Sequence, residues 1–357
     1  MEGSHRRQNV KALVKWFRAR YVGLGWAVRG VLIPLQRTVR GVFTPLQKAL
    51  EPSWTEVRRR IALLRNSRRK FRYELTACTM FQNEAPYLDE WLTFHHGVGV
   101  EHFYLYNNRS IDNYREVLDP WIRKGLVTLF DWPGCGGQVA AFNNCVRRFR
   151  MQARWIAFLD ADEFLFSPET RDLRTILPRY EGFPAIFVYW ILFGSGGNQK
   201  RPAGSVIENY TRCLDLETAR SDDFDHKKGH TEKGLQITGW AKDGKSIANP
   251  RLVKKYYVHQ PKEVWAGVVI DEKMRPHLRR LPGTVDLSCS VFRINHYWSK
   301  SIEDITNKVL KGNASWENRP AGKLERWLER ESHLNRSSDE TLLRIWRAIR
   351  DEASGKK

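Results

Sequence analysis

Between Glu74 and Leu159 the chain alternates short apolar runs with longer stretches in which apolar residues recur every three or four positions. ELTACTMF (74–81), HFYLY (102–106), VTLF (127–130) and WIAFL (155–159) are short, apolar or aromatic, and free of Gly and Pro, which predicts buried strands. YLDEWLTFHHGV (87–98), residues 112–124 and GQVAAFNNCVRRFRMQ (137–152) carry helical spacing between them, and Gly97 and Gly99 are placed to end the first. Alternation of this kind predicts an α/β fold, a largely parallel sheet with helices on both faces. Beyond Asp162 the order loosens. AIFVYWILF (185–193) reads as one more buried strand running into GSGGNQKRPAG, and residues 204–300 as short strands and loops. LERWLERE (324–331) and DETLLRIWRAIRDE (339–352) read as terminal helices, the second with Ser338 as N-cap.

Composition agrees with a folded globule: 41% of the 357 residues are hydrophobic and 14 are Trp. The five Cys (78, 135, 145, 213, 289) form no CxxC pair, which argues against a disulfide framework or zinc site and for a reducing compartment. The net charge of +20 is concentrated: residues 1–70 hold 17 Lys and Arg against three Glu, so the other 287 residues supply only +6. In that segment RGVLIPLQRTV from Arg29 is followed directly by RGVFTPLQKAL from Arg40, an 11-residue near-repeat of the kind that keeps one apolar stripe along a helix. Pro34 and Pro45 would break it into short turns. Basic residues beside Trp, Leu and Val suit an anionic membrane surface or a partner protein. No module for nucleic acid is recognisable there. Arg29 interrupts the longest apolar run, so no membrane span is expected, and no small-residue cleavage site marks a signal peptide. The expected organisation is a basic amphipathic arm (1–70), an α/β domain (71–320) and carboxyl-terminal helices (321–357).

The candidate chemistry begins at Asp160 and Asp162, just past WIAFL. In extended backbone such residues project to one side, so both carboxylates could face a crevice at the carboxyl end of the sheet. Close carboxylates call for a cation, and hard oxygen ligands suit Mg²⁺ or Mn²⁺. A solvated turn is the plain alternative. GWAKDGKS (239–246) fits the P-loop pattern letter for letter, yet Pro250 and the strand-like PRLVKKYYVH leave no room for the helix that loop requires.

Several segments taken in order resemble the GT-A nucleotide-sugar glycosyltransferases, and more narrowly glycosyltransferase family 92 and its family-2-like relatives. They are FQNEAPYLDEWLTFHHGVGVEHFYLYNNRSIDN, WPGCGGQVAAFNNCV, ARWIAFLDADEFLF, YWILFGSGGNQKRPAGSVIENYTRC, GKSIANPRLV and RINHYWSKSIEDITNK. The likeness spans about residues 73–312. It implies a GT-A fold and a donor site in which Asn83, Glu84, Asn107, Asn108, Asp112 and Gln138 face the nucleoside, with Ser110 and Asn143 nearby. Where the family-2 stretch has two Asp, this chain has Asn107 and Asn108, which removes charge. Asp162 becomes the better metal ligand, Asp160 touches ribose or metal, and His296 completes the metal set. Lys245 and Lys300 could neutralise a diphosphate. Trp190 and Phe193 could stack on a sugar or simply fill the core. The family often has His where this chain has Asn198.

The implied reaction moves a sugar from a nucleotide diphosphate donor, UDP-linked, to an acceptor hydroxyl with Mn²⁺ or Mg²⁺ assistance and inversion at the anomeric carbon. Glu208, Asp286 and Glu163 are the candidates for the carboxylate that takes the acceptor's proton. The acceptor would be a glycan or glycolipid, such as a polysaccharide or lipid-linked precursor. The enzyme would be cytoplasmic, either free or peripheral on the inner face of a membrane through residues 1–70. An inactive membrane-docking scaffold and a basic nucleic-acid-binding protein are the competing classes.

Overall fold

Strand β1 (Tyr73–Phe81) separates the two faces of the molecule. Leu75, Ala77 and Phe81 enter one apolar cluster, and Cys78 and Met80 the other, the two-residue alternation of a strand buried on both sides. Strand β4 (Ala153–Phe158) repeats this, with Trp155 and Ala157 on the first face and Ile156 and Phe158 on the second. Helix α1 (Ala85–Gly97) lays Leu88, Trp91, Leu92 and Phe94 on the first face. Helix α3 (Gly137–Phe149) lays Ala141, Phe142, Cys145 and Val146 on the second. The computed structural model describes residues 70–134, 137–215, 243–277, 287–311 and 324–355. The basic arm, Cys135, Asp286 and the first four residues of the P-loop-like string lie outside them.

The sheet has eight strands. With β2 (His102–Asn107), β3 (Val127–Asp131), β5 (Glu163–Phe166), β6 (Ala185–Leu192), β8 (Gly244–Ala248) and β11 (Arg293–His296), its order is β3-β2-β1-β4-β8-β6-β11-β5. Strands β1 to β4 are mutually parallel, β8 is antiparallel to both β4 and β6, β11 is parallel to β6, and β5 is antiparallel to β11. Helix α2 (Tyr114–Arg123) links β2 to β3. The α/β architecture expected from the alternation is therefore present as a mixed sheet. Because β8 and β5 run against the rest, their first residues lie at the edge where β1, β2, β4, β6 and β11 end. Asn83, Asn107, Asp160, Glu163, Lys245 and His296 consequently share one edge, where open α/β sheets bind ligands.

Two sheet strands lie where the sequence suggested only loops and short strands. GKSIA (244–248) enters the sheet because Gly244 lets β6 approach: a Cβ there would lie 2.0 Å from the Val188 carbonyl oxygen. The same strand disposes of the P-loop reading. PRLVKKYYVH contributes only β9 (Val253–Tyr256), paired with β10 (Pro261–Val264) in a separate hairpin. Asn143 clamps that hairpin, accepting from Tyr256 N–H at 2.9 Å and donating to the Tyr256 carbonyl at 2.9 Å.

The glycine-rich loop after β6 is held from both sides. Glu90 on α1 accepts N–H bonds from Val206 and Ile207 (2.7 and 2.9 Å) at the start of the short helix α4 (Val206–Asn209). Glu331, on α6 (Leu324–His333), accepts from Ser195 N–H at 2.7 Å. Helix α5 (Ile302–Lys311) precedes α6, and α7 (Thr341–Ala353) closes the chain. Leu342, Leu343, Trp346 and Ile349 of α7 are buried in the same cluster as α1, so the terminal helices share the core of the α/β domain. Ser338 is not the N-cap of α7: it pairs with β7 (Arg212–Cys213) as part of β12 (Ser337–Ser338), and the Asp339 carboxylate takes Thr341 N–H at 2.9 Å instead. Among the described residues no helix is long and apolar enough to cross a membrane.

Candidate active site

Strand β4 stops at Phe158, and Asp160 to Glu163 form a turn closed by Glu163 N–H on the Asp160 carbonyl at 3.1 Å. The two aspartates therefore reach the sheet edge from a turn, not from extended backbone. Around them runs a line of charged and polar groups. Asp160 accepts from Gln138 Nε2 at 2.5 Å and from Lys245 Nζ at 2.8 Å. Lys245 Nζ lies 3.9 Å from Glu163 Oε1, which lies 3.8 Å from His296 Nδ1. His296 Nε2 is 3.5 Å from Asp162 Oδ1, and Lys308 Nζ donates to Asp162 Oδ2 at 2.7 Å.

Burial sets the charge states along this line. Burial alone would raise the Asp162 carboxyl, but Lys308, His296 and Lys300 hold it well below the usual range. Glu163, with 0% of its surface exposed, is pushed well above the carboxylate range by burial, then by Asp160 and Asp162, against the pull of Lys245. Burial works to lower Lys245, yet Asp160 and Glu163 keep it raised and protonated. Glu163 Oε1 and His296 Nδ1 have no hydrogen-bond partner among the described residues, so the interior of this line is electrostatically unfinished.

A cavity of about 640 Å³ opens beside Asp162, lined among others by Glu84, Tyr87, Trp298, Lys300 and Lys308. Two of its residues, Asn83 (φ +54°) and Lys300 (φ +52°), hold backbone conformations that cost a side chain with a Cβ free energy, a feature that gathers at functional sites. Lys300 Nζ sits 3.5 Å from the centre of the Tyr87 ring and 3.3 Å from Glu84 Oε2. The Tyr87 hydroxyl donates to Asp304 Oδ1 at 2.7 Å.

Of the sequence candidates, Asn83, Glu84, Asp162 and Lys300 line the cavity, while Asp160, Gln138, Glu163, His296 and Lys245 stand behind it. Others are spent on the scaffold. Asn107 donates to the Tyr114 hydroxyl and to Asp131 and accepts from Ser110 N–H, which uses its whole amide. Asp112 accepts Ala85 N–H at 2.8 Å, at the start of α1. The Asn108 backbone N–H donates to the Phe81 carbonyl at 2.8 Å, which fixes the loop and does not engage the side-chain amide. Asn143 belongs to the hairpin, Phe193 is fully buried, and the Trp190 ring packs against His296 at 4.6 Å between ring centres, tilted by 56°.

Two of the three proposed proton acceptors are badly placed. Glu208 is not on the cavity wall: its carboxylate is tied to Arg350 of α7 at 2.6 Å and to Ser205 at 2.9 Å. Glu163 is sealed behind Asp162. Asp286 lies outside the described residues. The residues that sequence reasoning missed are Lys308, Asp304 and Tyr87. Lys300, Asp304 and Lys308 recur every four positions, the spacing of one helix face, and that pattern could have disclosed the first two. Tyr87 looked like one more apolar position of α1.

The donor atoms can be tested against a divalent cation. Among the described residues, no three His, Cys, Asp or Glu side chains form a ready metal cluster. Asp160 does not join His296, because both its oxygens are engaged by Gln138 and Lys245. Asp162 Oδ1 and His296 Nε2 are free of lysine, and their 3.5 Å spacing suits two ligands each about 2.0–2.2 Å from one ion. Mg²⁺ usually takes one or two carboxylates with the remainder from waters and substrate phosphates, so a set of one carboxylate and one imidazole fits the softer Mn²⁺ better.

A mixed sheet with this order and an acidic turn after β4 defines an α/β fold with its candidate site at one sheet edge. The chain belongs to glycosyltransferase family 92, whose model matches residues 73–320. A family 92 protein of Ricinus communis is 35% identical over 39% of this chain and 26% of its own length. One of Arabidopsis thaliana is 27% identical over 63% of this chain and 35% of its own. A galactan beta-1,4-galactosyltransferase of Arabidopsis thaliana is 30% identical over 32% of this chain and 25% of its own length. The chain thus spans about a quarter to a third of the length of these relatives. The solved structure of S. aureus TarS 1–349 with UDP aligns with 51% of this chain and 48% of that one, at 12% identity and a TM-score of 0.30, too slight a likeness to bear on ligands.

Proposed function

We propose that this chain is a glycosyltransferase that moves a hexose from a UDP-linked donor to a hydroxyl of a glycan acceptor, with inversion at the anomeric carbon. One observation carries the reading: a line of ionisable groups from Asp160 to Lys308, fully buried at Lys245 and Glu163, reaches the wall of a cavity of about 640 Å³ at Asp162 and Lys308. Membership of family 92 and the galactosyltransferase among the relatives support it. Lys245 and Lys308 keep two positive charges beside the aspartates, where a diphosphate must bind and then leave. Asp162 and His296 would hold the Mn²⁺ or Mg²⁺, whose bound charge stabilises the leaving diphosphate as a Lewis acid. Glu163 stands behind His296, its Oε1 3.8 Å from Nδ1, which leaves Nε2 as the ring nitrogen on the Asp162 side.

The acceptor's proton needs a carboxylate on the cavity wall. Asp304 has both oxygens engaged, by Tyr87 and Ser301, and sits below its ordinary pKa despite burial, which makes it a weak base. Glu84 and Glu303 remain, and a Gln at each position separates them. The decisive assay follows UDP release from a panel of UDP-sugars with Mn²⁺ and simple glycan acceptors. Asp162→Asn should lower turnover by about a hundredfold or more while leaving the fold intact. Wild-type turnover with no UDP-sugar, or an unaffected Asp162→Asn variant, would sink the proposal.

A further inference from the structure

A second cavity, of about 350 Å³, continues the first: both are lined by Pro86, Tyr87 and Arg201. Their chemistry differs. The cavity at Asp162 carries four carboxylates (Glu84, Asp162, Glu303, Asp304) and four cations (Lys200, Arg201, Lys300, Lys308), so its charge is balanced. The second has one charged side chain on its wall, Arg201. Among the described residues no carboxylate forms an ion pair with Arg201, whose guanidinium lies 5.4 Å from the centre of the Tyr87 ring. Arg201 is exposed and its one side-chain partner among the described residues is the Tyr87 hydroxyl, so the guanidinium keeps donors for a carboxylate or phosphate, which it can grip with two parallel hydrogen bonds.

Two buried hydroxyls point the same way. Tyr210 lines the second cavity, is 1% exposed, and its hydroxyl has no hydrogen-bond partner among the described residues. Ser299 lines the first cavity and is in the same condition, 1% exposed with an unpartnered Oγ. Buried hydroxyls are normally satisfied, so the orphan beside each cavity is a partner for a polar ligand atom, reached by a small shift of the wall that now covers it. Pro86, Pro202 and Ala203 give the second cavity an apolar wall for the C–H face of a sugar ring.

We propose that the acceptor is an acidic glycan of at least two units. The unit that receives the sugar lies in the cavity beside Asp162, with Ser299 as a polar contact. The next unit lies in the second cavity, its carboxylate or phosphate on Arg201 and a ring hydroxyl on Tyr210. The inference rests on the glycosyl-transfer reading above and adds the class of acceptor to it.

The test is an array of neutral, uronate-bearing and phosphate-bearing glycans of one to four units, probed with the full chain. Calorimetric titration of UDP into the same protein reports the donor site separately. The proposal expects the bound set to be acidic glycans of two or more units, with uronate or phosphate members identifying the source of the charge. Arg201→Ala should weaken that binding at least tenfold, and Tyr210→Phe should weaken it several-fold without changing the acid preference. Binding through the basic arm would survive Arg201→Ala, so persistence of acidic binding in that variant overturns the assignment. A neutral bound set, or an empty array, overturns it equally. If UDP binds and the array result is negative, only the acceptor assignment fails; if UDP does not bind, the donor reading fails.

Discussion

His95 and His102 are buried imidazoles of the scaffold, and their titration follows from what they touch. His95 places Nδ1 2.8 Å from the Trp91 carbonyl and accepts Leu165 N–H on Nε2, which fixes the neutral tautomer with hydrogen on Nδ1. Burial lowers its pKa to about 3, against a partial lift from the Trp91 carbonyl. His102 is lowered to about 4, again by burial first. A histidine whose folded pKa lies below its unfolded value of 6.5 leaves the unfolded chain binding more protons, so stability falls as pH drops from 6.5 toward the folded pKa. Urea denaturation at several pH values should show His102→Gln less pH-sensitive than wild type between 6.5 and 4, by up to about 1.4 kcal/mol per pH unit. Parallel curves for the two proteins would refute this. The same scale explains which site residues could be read from sequence. Asp160, Asp162 and His296 announce themselves by type and position. Asn107 and Asp112 were equally conspicuous, yet their hydrogen bonds go to the loops around β1 and β2, and no residue type reveals where its partners will be.

At the scale of elements, the parallel strands β1 to β4 and helices α1 to α3 were legible because each is a short, uninterrupted period of two or of three to four. Strand β8 was not legible. GKSIA is short and opens on Gly, and its place in the sheet comes from a long-range pairing with β4 and β6 that local pattern does not encode. Strand β5 was hidden by the acidic turn that precedes it. The β8 pairing matters because it delivers Lys245 to Asp160. Gly244→Ala would drive a methyl group into the Val188 carbonyl, at a cost of about 1–3 kcal/mol from overpacking. The expected outcome is a lower denaturation midpoint together with weaker UDP binding, since Lys245 shifts with its strand. An Ala variant with wild-type stability and UDP affinity would show that β6 and β8 do not approach so closely.

At the scale of the molecule, charge is divided unequally. The amino-terminal 70 residues carry 17 of the 60 Lys and Arg, while the α/β domain is nearly balanced. We propose that the arm adsorbs to anionic lipid and holds the domain at a membrane that presents the acceptor. Deleting residues 1–69 should abolish flotation with anionic vesicles and leave UDP affinity unchanged; equal flotation of both proteins would remove the arm from the account. The terminal helices have the opposite character. Glu331 fixes the glycine-rich loop, and α7 fills the core beneath α1, so they are part of the catalytic fold even though the family match ends at residue 320.

Asp162 and the groups converging on it are proposed above as a metal-assisted diphosphate site. Calorimetric titration of UDP, with and without Mn²⁺, into wild type and Asp162→Asn tests it most directly. Binding should strengthen at least tenfold with Mn²⁺ in wild type and lose that dependence in the variant. UDP binding that is absent in wild type, or equally metal-dependent in both proteins, would contradict it.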